Sequence, residues 1–178
     1  MHSFSRARLG DHAKYAHEYE AAGIPVWKPF LADSLRQTAQ FGGFRVQSFG
    51  LIHNVPCCGF LIKHKDLGKM LYVTDTEYVP YTFKGLTAML IEANYDDVDR
   101  NEAKRNHVLT GHLNIRTTID CIKANASDAL EAVVLCHLSE ENSDAKAFAE
   151  AVREAVQPSV NVHIAEAGSV IGINEVPF

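Results

Sequence analysis

Asp75 directly follows the run Leu71-Tyr72-Val73-Thr74, and His137 directly follows Val133-Val134-Leu135-Cys136. Glu92 and Asn94 close an apolar stretch over residues 86–91, His53 follows Phe49-Gly50-Leu51-Ile52, and Asp11 and His12 open a segment of helical spacing. Groups able to coordinate a cation or move a proton therefore stand at the ends of five elements. Carboxylate oxygen and imidazole nitrogen together are what a zinc-like ion accepts, at about 2.0–2.2 Å. In layered α/β proteins, ligands and reacting groups collect at strand ends and the neighbouring loops. Each residue also has an ordinary alternative. Asp11 suits a helix N-cap, Asp75 a turn within Thr74-Asp75-Thr76, and Glu92 an ion pair at a strand edge. Nine histidines guarantee that several are not ligands, and His2, His17, His64 and His163 are read as surface or supporting groups.

The elements that must position these groups follow from hydrophobic period. Residues 11–22 read as a helix, with Tyr15 and Tyr19 four apart and Gly23 as its stop. Residues 24–27 read as a short strand, residues 31–39 as a second helix broken by Gly42-Gly43, and residues 44–49 as a strand of period two. Two apolar runs, 59–63 and 69–73, flank a polar stretch ending in Gly68, which predicts a hairpin. Residues 86–93 and 132–136 read as buried strands, 115–124 and 145–156 as helices, and the charged residues 98–108 as helical. Residues 160–164 close the pattern, with 168–173 as a last strand. Strands separated by helices predict an α/β arrangement in layers, antiparallel in part because of the early hairpin. No repeat, long linker or low-complexity tract divides the chain, so residues 1–178 are read as a single domain.

Composition narrows the function classes. A chain of 178 residues hides roughly 70% of its unfolded surface, and with 47% hydrophobic and 22% charged residues it is ordinary globular material rather than disordered. The formal charge of -5 argues against a broad basic face for nucleic acid. It does not exclude a metal site acting on phosphate, where the ion brings the positive charge. Cys57, Cys58, Cys121 and Cys136 show no framework spacing and read as free thiols of a reducing compartment. With no long apolar segment and no signal-peptide core, a cytoplasmic protein off the membrane is expected.

Six segments carry a resemblance. They are Gly10-Asp11-His12-Ala13-Lys14-Tyr15 with Gly23-Ile24-Pro25-Val26, His53-Asn54-Val55-Pro56 with Gly59-Phe60, and Val73-Thr74-Asp75-Thr76. The others are Glu92-Ala93-Asn94-Tyr95-Asp96, Gly111-His112-Leu113-Asn114, and Leu135-Cys136-His137-Leu138-Ser139 with Asn142-Ser143. In this order they resemble the metallo-β-lactamase superfamily, and within it the WalJ/YycJ-like and phage-type branch related to RNase Z and small phosphodiesterases. The resemblance implies an αββα four-layer sandwich with mixed sheets and a metal centre between them. On family precedent Asp11, His12, Asp75 and His137 would hold one metal, with Asp75 bridging and His53 belonging to a second. The implied chemistry is attack by a metal-activated hydroxide, its pKa lowered toward about 7, on a phosphodiester or similar centre. His112 would orient a substrate phosphate or assist proton transfer, while Glu92 and Asn94 would fix a ligand ring or a loop.

The sequence departs from the family at its start. The first two motif histidines would fall at Ala7 and Leu9, neither of which coordinates, and the family's opening strands have no counterpart. The expectation is an N-terminally incomplete domain that binds one zinc, or alternatively manganese, per chain. Its expected substrate is a phosphodiester or another small molecule, with nucleic acid admitted. A homodimer would cover the incomplete sheet. The competing reading is a catalytically weakened or inactive module that keeps the fold for binding or structure.

Overall fold

The computed structural model describes residues 12–24, 26–29, 36–54, 56–96 and 111–173. Helix α1, His12–Ala21, ends where Gly23 turns the backbone to φ +74° and the Ile24 amide donates to the Tyr19 carbonyl at 2.9 Å. Three strands then pair antiparallel: β1 Thr38–Phe41, β2 Phe44–Leu51 and β3 Cys57–His64. The predicted hairpin is present, with β3 paired antiparallel to β4, Gly68–Val73. From β4 onward the pairing is parallel, through β5 Ala88–Glu92, β6 Ala132–Cys136 and β7 Asn161–Ile164. Helix α2, Ile115–Asn125, connects β5 to β6, and α3, Ala145–Ala155, connects β6 to β7. Asn114 caps α2 by accepting from the Arg116 amide at 2.8 Å, and Asp144 caps α3 by accepting from Ala147 at 3.0 Å.

The seven strands among the described residues form one mixed sheet whose order follows the chain, β1 to β7. The α/β class and the mixed pairing match expectation; among the described residues, one sheet with its helices makes up the fold. The register places Leu71, Val73, Met89, Ile91, Val133 and Leu135 on one face, each at 0% exposure, against Cys121, Ile122, Phe148 and Val152 of the two helices. Each such side chain contributes about 1.5–3 kcal/mol over its exposed state. The parallel half, which carries the strand ends of interest, is therefore the firmly packed one.

Four local expectations are corrected. Residues 38–41 are strand β1, not the end of a helix over 31–39, whose first five residues lie outside the described ones. Its side chains are mostly exposed, so no buried face shows the period of two. Gly42-Gly43, read as a helix stop, is the two-residue hairpin turn, with Gly42 at φ +55° and Phe41 opposite Phe44. The described residues of 24–27 form no strand; Trp27 instead packs on Phe41 and Phe60, ring centroids 6.0 Å away in both cases. Residues 168–173 form no strand either, and Val170 at 98% exposure shows that this stretch has no face to bury. The expected helix at 98–108 lies outside the described residues. No helix among the described residues is long and apolar enough to cross a membrane. All four cysteines are free thiols.

Candidate metal centre

Parallel pairing puts the C-terminal ends of β4, β5 and β6 side by side, and the polar residues just beyond them converge. Glu92, at the end of β5, is wholly buried. Its Oε2 accepts from the backbone amides of Asp75 at 2.9 Å and Leu113 at 3.2 Å, and more distantly from Thr76 at 3.5 Å. Its Oε1 is shared by Nδ1 of His112 at 2.7 Å and Nδ1 of His137 at 2.5 Å. One carboxylate thus ties together the loops that follow β4 and β6 and the segment that leads into α2.

Burial pushes the Glu92 carboxyl up, but the hydrogen bonds from His112 and His137, with the charge of both rings, outweigh it and hold it below the usual glutamate range. An ionised carboxylate only accepts, so both Nδ1 atoms must carry the proton they share with it. In a neutral ring that leaves Nε2 of each histidine as the lone-pair nitrogen. For His137 this nitrogen stands 3.8 Å from Asp75 Oδ1, and His112 Nδ1 stands 3.9 Å from the same oxygen. Asp75, Glu92, His112 and His137 each place a donor atom within 4.8 Å of the others.

Two of the four stand on unusual backbone. Asp75 has φ +58° and His137 φ +55°, the left-handed region that non-glycine residues seldom adopt. Asn94 secures one of these turns, donating from Nδ2 to the His137 carbonyl at 2.8 Å, while the Ser139 amide donates to the Asn94 carbonyl at 3.2 Å. Thr118 Oγ1 donates to the Glu92 carbonyl at 2.7 Å and so docks α2 onto the end of β5. Burial together with the charges of Glu92 and Glu77 raises the Tyr95 hydroxyl, which therefore stays protonated at neutral pH.

His53 is close by but outside this cluster of four, its ring centroid 5.8 Å from that of His112. A Cβ on Gly111 would lie 2.5 Å from His53 Cε1, so the glycine is what lets the ring lie over that backbone. Asp11 lies outside the described residues, and His12 is the first residue of α1 with its side chain outside them. The structure thus brings together Asp75, Glu92, His112 and His137, sets His53 and Asn94 beside them, and leaves the Asp11–His12 contribution open. Sequence reasoning assigned no role to Thr118, to Gly111 or to the amide of Leu113. Nothing in their types marks them, because they act through a hydroxyl, an absent side chain and a backbone group.

The donor set fits a divalent cation. Two buried carboxylates beside two imidazoles concentrate acceptor groups in one place, and a borderline metal ion matches both donor types. The 3.8 Å between His137 Nε2 and Asp75 Oδ1 is near the separation of two donors about 2.0–2.2 Å from one ion.

No family model matches the chain. It is 25% identical over 168 residues to an exodeoxyribonuclease YycJ of Bacillus anthracis, an alignment that spans 88% of this chain and only 60% of that relative's length. Among solved structures it is similar to the metallo-β-lactamase fold protein YhfI of Bacillus subtilis, with TM-score 0.54 and 17% identity over 75% of this chain and 51% of that one. The short form of human tRNase Z gives TM-score 0.51 and 18% identity over 94% and 66% of the two chains. An isothiocyanate hydrolase from Delia radicum gut bacteria gives 0.55 and 15% over 89% and 64%. The chain has the metallo-β-lactamase fold, and its sequence is similar to that of the YycJ exodeoxyribonuclease.

Proposed function

We propose that this chain is a metal-dependent hydrolase of phosphodiester bonds, nuclease-like in its substrate. The observation that carries the proposal is the Glu92 carboxylate, which holds two imidazoles at once by Nδ1 and leaves His137 Nε2 3.8 Å from Asp75. Orientation by a carboxylate on Nδ1 is what makes a histidine a good metal ligand through Nε2. His137 and Asp75 are the primary donors in this reading, with His112 and His53 next to them, and Asp11 and His12 as the family's further ligands. When bound, a zinc or manganese ion would polarise the phosphoryl oxygen and lower the pKa of a water molecule.

The chain's own residues do the rest. Asp75 and His137 fix the position of positive charge. Asn94 holds the His137 turn. His112, its Nδ1 proton held by Glu92, presents a nitrogen that can accept or return a proton near the scissile group. The exodeoxyribonuclease and tRNase Z relatives support phosphodiesters as the substrate class; the isothiocyanate hydrolase shows that the fold also serves another electrophile.

The test is metal analysis of protein purified without chelator, joined to hydrolysis of a chromogenic phosphodiester. About one ion per chain and activity that chelator removes are expected. Asp75→Ala and His137→Ala should each lower kcat/KM by about a thousandfold, roughly 4 kcal/mol of lost transition-state stabilisation. Absence of bound metal at saturating supply would sink the enzyme reading.

A further inference from the structure

We infer that the cleft between β2 and the segment following β4 is a subsite for one base of a single-stranded nucleic acid. The inference rests on the proposed phosphodiester chemistry for its ligand class. It stands on separate residues.

The cleft, about 330 Å³, is lined by Arg36, Gln47, Phe49, Leu61, Tyr81 and Phe83 among others. That volume is at the low end of small-molecule sites, enough for one flat ring and too little for a folded partner. Phe49 meets Phe83 at 4.9 Å and 45°, and Tyr81 at 5.5 Å and 78°, while Tyr81 and Phe83 lie 6.4 Å apart at 55°. None of these pairs is parallel, so the ring faces are not used up in stacking on one another. Phe49 is fixed because Gly59 leaves room beneath it: a Cβ there would lie 2.5 Å from the Phe49 ring. Tyr81, by contrast, is 46% exposed.

The polar lining suits a nucleotide. Gln47 offers an amide that both donates and accepts, as a base edge requires. Arg36 is exposed and carries the charge among the lining residues, opposite in sign to a phosphate. Its neighbour Gln37 is tied to β2 by the Ser48 amide at 2.9 Å and by its own amide donating to Ser48 Oγ at 3.0 Å.

Placement links this cleft to the metal centre. Strand β2 runs from Phe49 toward His53, a span of at most about 13 Å at strand rise. The other wall descends from Asp75, six residues before Tyr81. Between cleft and centre the two walls are joined: the Ile52 amide donates to Thr76 Oγ1 at 3.1 Å, Thr76 Oγ1 donates to the Ile52 carbonyl at 3.0 Å, and the Glu77 amide donates to the same carbonyl at 3.0 Å. A strand with its scissile phosphate at the donor cluster would set a base about four stacked nucleotides away into the cleft, or a nearer one if extended.

The experiment is fluorescence anisotropy of the full chain with a labelled hexathymidylate, in the presence of chelator, beside an abasic oligomer of the same length. Binding of the hexathymidylate and weaker binding of the abasic strand are expected. Tyr81→Ala should weaken hexathymidylate binding about 5- to 20-fold and leave the abasic strand unaffected, because stacking needs the ring and the base. Tyr81→Phe should restore affinity, and Arg36→Gln should weaken both strands and flatten the salt dependence. Circular dichroism of each variant checks the fold.

Absence of hexathymidylate binding, equal binding of the abasic strand, or indifference to Tyr81→Ala in a folded variant each overturns the subsite. Chelator keeps the two readings apart. Base-dependent binding by a chain that takes up no metal at saturating supply would leave the subsite standing and remove the metal reading; a metal-loaded, active chain indifferent to Tyr81 would do the reverse.

Discussion

The two edges of the parallel strands bend the backbone to the same positive φ by different means. At the edge where β4 and β5 begin, the turns use Gly68 at φ +71° and Gly85 at φ +64°, residues for which that conformation is unstrained. At the edge where β4 and β6 end, the same region is occupied by Asp75 and His137, for which it costs about 1–2 kcal/mol each. One edge needs only a shape. The other needs the shape and a side chain together, and the fold tolerates strain there because Glu92 secures the loops around it.

The largest effect should come from that tie. Glu92→Ala strands the Asp75 and Leu113 amides and two imidazole N–H groups, and should lower unfolding stability by about 4 kcal/mol or more in urea titrations. The same residue sets an acid limit. Its carboxyl is depressed in the folded state, so its contribution is present above the unfolded glutamate value of about 4.3 and fades as pH falls through the lower folded one. A chelated protein carrying Glu92→Gln should lose that acid limb.

At the opposite edge, Gly68→Ala meets both strain and a clash. Its Cβ would lie 2.5 Å from Thr87 Cγ2, and Thr87 is held by its Oγ1 donating to the Leu67 carbonyl at 2.6 Å. A loss of about 2–4 kcal/mol with unchanged metal content is expected. Gly85→Ala meets nothing closer than Lys69 Nζ at 4.0 Å, so backbone strain alone remains, about 1–2 kcal/mol in thermal denaturation. The smallest and sharpest test compares His137→Gly with His137→Ala. Both lose the imidazole, and the glycine variant should be the more stable by about 1 kcal/mol. Equal stability would mean that the donor edge stores no strain, and the contrast between the edges would fall.

The donor edge was largely legible in the sequence, because a buried strand shows as an apolar run and the polar residue that ends it stands out. Asp75, Glu92, Asn94 and His137 were found that way. His112 belongs to no such run and came only through the family resemblance. Its place beside Glu92 depends on the hydrogen bond between the Asn94 amide and the Leu113 carbonyl at 2.9 Å, which no spacing reveals. The left-handed turns at Asp75 and His137 were also invisible, since neither residue type demands them. β1 failed for the opposite reason. A four-residue, mostly exposed strand buries too little to impose a period, and its glycine pair reads equally well as a helix stop or a hairpin turn.

Strand order that follows chain order has a consequence for synthesis. A chain leaving the ribosome can add each strand to an edge that already exists, without threading one between two others. Glu92 is made before either of the imidazoles it orients, and the four donors cannot meet until residue 137 has emerged. A nascent chain therefore carries no finished donor cluster through most of its translation, and the cluster closes only when the sheet that supports it is nearly complete.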